Sequence, residues 1–60
     1  MTVDEIITQL TEAPTEQDAQ NVLTGMSRAK LLAIADQLYI DPYGRSSAVV
    51  RRAIVAEARA

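Results

Sequence analysis

The chain contains no cysteine, no histidine, no tryptophan and no phenylalanine. Lack of cysteine excludes disulfides and thiolate metal sites, and lack of histidine removes the usual zinc ligand and the usual general base. No apolar run approaches the roughly 18 residues needed to span a membrane. Asp4 and Glu5 stand where a signal peptide would carry lysines. These absences predict an intracellular protein, cytoplasmic or nucleoid-associated, with no membrane partner. Glycine is scarce, and Gly25 and Gly44 are isolated, so there is no glycine-rich phosphate loop. Ser27, Ser46 and Ser47 have no catalytic partner, and Asp36 and Asp41 read as solvated carboxylates flanking a helix end and a proline turn rather than as a metal pair. The expectation is no enzyme, no cofactor, no metal and no small-molecule substrate.

What is present is helical periodicity. Thr2 with Glu5 three residues on resembles a capping box, and Val3, Ile6, Ile7 and Leu10 follow at i, i+3, i+4 and i+7, which predicts a first helix from Val3 to Glu12. Pro14 ends that run. Thr15 with Asp18 forms a second capping pattern, and a helix from Glu16 to Leu23 or Thr24 buries Ala19, Val22 and Leu23 before Gly25 closes it in left-handed conformation. Met26 packs beneath the next helix start. Ser27 then caps a third helix with Leu31, Leu32, Ala35 and Leu38 on its apolar face. Pro42 and Gly44 end that helix near Leu38 or Tyr39. Ser46 or Ser47 caps a fourth helix from Ser47 to Ala58, whose inward set is Val49, Val50, Ala53 and Ile54. The reading is a single all-α domain of four short helices. At 60 residues it buries only about 60% of its unfolded surface, so self-association as a homodimer is one way to add buried area. With Met1 at its head and an alanine-rich helix at its end, the chain reads as a complete small protein or as the head of a longer one.

Met26-Ser27, then Leu31-Leu32-x-x-Ala35-x-x-Leu38, Ile40-x-x-x-Gly44 and Val49-Val50-x-x-x-Ile54 together resemble the SAP family of helix, extended loop, helix modules. More loosely they are similar to the SAP-like N-terminal domain of the transcription terminator Rho. The resemblance covers residues 26 to 60, leaving residues 1 to 25 as an acidic helical pair. It implies binding of duplex DNA. In that family a basic residue usually follows the loop glycine by two positions; here Ser46 occupies that position and Arg45 precedes it. Tyr39 stands where a glycine is frequent.

The formal charge of -2 conceals a segregation. Residues 1 to 25 carry Asp4, Glu5, Glu12, Glu16 and Asp18 with no base, whereas Arg28, Lys30, Arg45, Arg51, Arg52 and Arg59 all follow. Such a division suits a surface that faces a polyanion, backed by an acidic face. Arg28 and Lys30 oppose the dipole of the helix they open, a penalty that a docked anion reverses. The candidate DNA contacts are therefore Arg28, Lys30, Arg45, Arg51 and Arg52 to phosphates, with the helix-start amides of Ser46 and Ser47. Tyr43 is added through its hydroxyl or by entering a groove; its alternative is a half-buried ring closing the core over Ile40 and Pro42. Tyr39 reads as core or core edge, and Arg59 as a partner of its own helix dipole. The competing reading is a protein-interaction or assembly module, a homodimer or a binder of a partner helix through the acidic N-terminal helices, with no nucleic-acid role.

Overall fold

A computed structural model describes residues 2 to 60. The chain forms α1 (Val3–Glu12), α2 (Glu16–Leu23), α3 (Arg28–Gln37) and α4 (Ser47–Ala58), and no strand occurs among the described residues. Every helix start is held by a hydroxyl. Thr2 accepts from the Glu5 amide at 3.2 Å, Thr15 from Asp18 at 3.1 Å, Ser27 from Lys30 at 3.2 Å and Ser46 from Val49 at 3.3 Å. Each bond satisfies one of the amides that a first turn leaves without an acceptor.

The helices share one core made only of aliphatic side chains: Ile6 and Leu10, Ala19 and Leu23, Leu31, Ile34 and Ala35, and Val50, Ile54 and Val55. Val3, Ile7, Val22, Met26, Leu38 and Ile40 pack around it. Both α1 and α4 touch all three other helices, while α2 and α3 scarcely meet. The Cα radius of gyration is 10.1 Å, close to the roughly 10 Å expected of a compact domain this size.

The inward faces of α3 and α4 are rotated from the sequence expectation. Ile34 and Val55 are buried, Leu32 is half-buried and Val49 is 39% exposed. Two adjacent apolar residues on a helix point about 100° apart, so periodicity leaves that rotation open and the packing of neighbouring helices selects it.

α3 ends where the sequence places it, near Leu38 or Tyr39, but the device that ends it is not Pro42 or Gly44. Leu38 is the C-cap and Tyr39 adopts φ +59°, with its amide donating to Asp36 O at 3.1 Å and the Ile40 amide to Ala35 O at 2.8 Å. This paired pattern is a Schellman ending, with a tyrosine in the left-handed position that glycine usually holds. The last helical residue, Gln37, thus lies five residues before Pro42. Reversal of the chain turns the Tyr39 ring outward, leaving it 97% exposed, so it is not a core residue. Tyr43 is 80% exposed and Pro42 is buried in its place, so the ring does not close the core. The cause is a turn in which the Arg45 amide donates to Pro42 O at 3.3 Å with Gly44 at φ +77°, a pattern of type II that puts Tyr43 at an outer corner.

Arg59 does more than face its own helix dipole. Its Nη1 donates to Leu10 O at 2.9 Å and Ala13 O at 2.7 Å, so it closes the C-terminal end of α1. Thr11 Oγ1 reinforces the junction by donating to Ala58 O at 3.1 Å.

Candidate nucleic-acid interface

The connection from α3 to α4 is held by side chains as well as by its own turns. Asp41 Oδ1 accepts from the Tyr43 amide at 3.0 Å, a local turn made by the carboxylate. Arg28, one residue into α3, reaches across to this connection. Its Nη2 donates to Arg45 O at 2.8 Å and Pro42 O at 3.3 Å, and its Nη1 to Ser47 Oγ at 3.3 Å. Those three bonds leave the Nε–H and one Nη1–H of the fork uncommitted. Arg28 and Arg45 are both exposed, and the Arg28 guanidinium is tied to the backbone of Arg45 and to Ser47 in the first turn of α4.

At that helix start Ser46 takes up the Val49 amide, while the amides of Ser46, Ser47 and Ala48 have no intrahelical acceptor. A first turn in this state presents donors and the positive end of a dipole to an anion. Of the eight residues put forward from sequence, Arg28, Tyr43, Arg45, Ser46 and Ser47 lie together at this turn. Ser46 is the cap, and Ser47 anchors Arg28 through its hydroxyl.

Arg51 and Arg52 lie further along α4. With Ala48 they line one side of an open groove of about 610 Å³, whose other side is Glu16, Gln17, Gln20 and Thr24 of α2. Ala48 belongs to the first turn of α4, so the groove begins where the loop surface ends. Glu16 shares it with the two arginines, so the cations are not wholly turned away from the acids of the N-terminal half. Among the described residues, Arg45, Arg51 and Arg52 make no side-chain ion pair or hydrogen bond. Lys30 is half-buried on the first turn of α3.

Sequence reasoning did not foresee Arg28 as the staple of the loop, because its three acceptors lie 14 to 19 residues away. The Asp41 turn had a local signal, an aspartate immediately before proline. No helix among the described residues is long and apolar enough to cross a membrane. Comparison with known proteins finds no matching family model, no matching curated protein and no matching solved structure.

Proposed function

We propose that this protein is a small DNA-binding module that contacts duplex DNA mainly through its phosphates, with modest sequence preference or none. The observation that carries the reading is the Arg28 staple, which fixes one guanidinium beside the backbone of Arg45 and the open first turn of α4. Arg45 and the amides of Ser46 and Ser47 hold one phosphate region, and Arg51 and Arg52 extend the contact along α4. Lys30 adds charge from the neighbouring helix, and Tyr43 contributes a contact through its hydroxyl or by entering a groove. The resemblance of residues 26 to 60 to the SAP family supports the same reading.

Three to five phosphate contacts correspond to a salt slope of about -3 to -4.5 in log K against log salt. One copy binds in the non-specific range, with a dissociation constant of about 10⁻⁴ to 10⁻⁶ M at physiological salt, so useful occupancy requires a dimer, an array or a tether. The experiment is a titration of labelled duplex DNA at low and moderate salt, with light scattering to give the size of the species. Arg45→Ala combined with Arg51→Ala weakens binding across sequences and lowers the slope by about 2. Exposure of Val49 and both tyrosines favours a second reading, a protein-interaction module. A salt-insensitive dimer that ignores DNA establishes that second reading and refutes the first.

A further inference from the structure

The chain has only two aromatic residues, and neither is used to build the core. Tyr39 is 97% and Tyr43 80% exposed. Aromatic rings bring large apolar area to a core, and a domain this small has most to gain from burying them. The surface position of Tyr39 also carries a cost, because an L-residue at φ +59° is strained where glycine is not. Neither phenol makes a hydrogen bond or ring contact with another described residue. Among the described residues, no hydrogen bond or ring contact accounts for a tyrosine at either position.

Both rings project from the connection that Arg28 holds in place, four residues apart and therefore with at most about 14 Å between their Cα atoms. The exposed neighbours are Asp36, Gln37, Asp41, Gly44 and Arg45. Beyond the two rings, Val49 is the one other large hydrophobic exposed among the described residues, so the rings do not belong to an extended apolar patch of the kind that marks a protein interface. Cations that follow a phosphate backbone, interleaved with open π-faces, are the combination that holds single-stranded nucleic acid.

We infer that Tyr39 and Tyr43 stack on unpaired bases, so that the module favours single-stranded or locally melted DNA over intact duplex. This inference rests on the nucleic-acid reading above and adds to it a preference for the state of the strand. Asp41 sits between the two rings in sequence, and its carboxylate accepts from the Tyr43 amide.

The chain supplies its own reporter. With no tryptophan, its ultraviolet emission comes from these two tyrosines alone. Labelled oligothymidylate and its duplex with oligoadenylate are each titrated with protein, following anisotropy of the label and, in parallel, tyrosine emission. The expected result is tighter binding of the single strand, with emission quenched in step with anisotropy. Tyr39→Asn, which keeps a residue tolerant of the left-handed region, and Tyr43→Ser each weaken strand binding by roughly 5- to 100-fold; Tyr39→Asn leaves duplex binding little changed, and Tyr43→Ser, which also loses the proposed hydroxyl contact, weakens duplex binding by a smaller factor. Circular dichroism establishes that both variants keep the helical fold. Equal affinity for strand and duplex, unquenched emission at saturation, or unaffected variants overturn the inference and leave phosphate binding standing. Failure to bind either probe refutes the proposed function and the inference with it.

Discussion

Replacing Tyr39 by glycine is expected to make the protein more stable. The backbone at this residue has φ +59°, a conformation that costs an L-residue about 1–2 kcal/mol. Glycine occupies it without that strain but loses more freedom on folding, an opposing effect of about 0.5–1 kcal/mol. The ring adds little, since it is 97% exposed. The net gain is about 0.5–1 kcal/mol, equivalent to a rise of roughly 2–8 °C in Tm for a domain this small. Urea unfolding followed by far-ultraviolet circular dichroism measures it. Tyr39→Ala is the control: it removes the ring and keeps the Cβ, so its stability stays within about 0.5 kcal/mol of the parent. Gly44→Ala is the converse. A Cβ there meets nothing within 4 Å, so its loss of about 1 kcal/mol is conformational, arising from φ +77°. If Tyr39→Gly is neutral while Tyr39→Ala is destabilising, the ring is held by contacts and the strain argument fails.

Arg59→Ala removes two charge-assisted bonds that close α1 and costs about 2 kcal/mol in the same urea assay; Arg52→Ala, exposed and making no side-chain bond, changes stability by less than about 0.5 kcal/mol. Leu31→Ala opens a cavity beneath α3 and costs about 2–5 kcal/mol. A 60-residue domain holds about 3–9 kcal/mol in all, so circular dichroism of this variant shows a population largely unfolded on mild warming. Arg28→Lys keeps the charge but loses the planar fork that reaches Pro42 O, Arg45 O and Ser47 Oγ. Its stability falls by about 1 kcal/mol, and hydrogen exchange quickens at the Arg45 amide, whose acceptor is Pro42 O.

Helix boundaries were legible because their signals are local. Thr2, Thr15, Ser27 and Ser46 each cap a helix through an amide three residues on, and Gly25 takes the left-handed conformation that closes α2. The end of α3 was harder to read. Its position near Leu38 or Tyr39 was legible, but Pro42 and Gly44 looked like the cause, whereas the chain reverses at Tyr39, which composition disfavours, with Ile40 packed against the core just beyond it. The rotation that buries Ile34 and Val55 rather than Leu32 and Val49 is likewise a property of packing. Charge segregation along the chain did not become a clean division in space, since α4 lays Arg51 and Arg52 along α2, where Glu16 stands. Arg28 and Arg59 were legible as cations but not as clamps, because their acceptors are 14 to 49 residues distant.

On the proposed reading, the connection between α3 and α4 bears on affinity through its order as well as its charge. Between Leu38 and Ser47 the chain is fixed by the Schellman bonds, the Asp41 turn, the Pro42 to Arg45 turn, the Ser46 cap and the three bonds from Arg28. A loop already in place spares a ligand the cost of ordering it, which is about 0.5–1.5 kcal/mol for each mobile side chain immobilised. For a surface with only a few phosphate contacts that saving is comparable to a whole contact. Arg28 therefore acts in two ways, as a charge beside the helix start and as the brace that keeps Arg45 and Ser47 in register with it. Tyr39 falls under the same logic with the opposite sign for stability. Substitution by glycine relaxes the backbone, yet on the proposed reading it removes one of the two exposed rings, so the more stable variant is also the weaker binder of unpaired DNA.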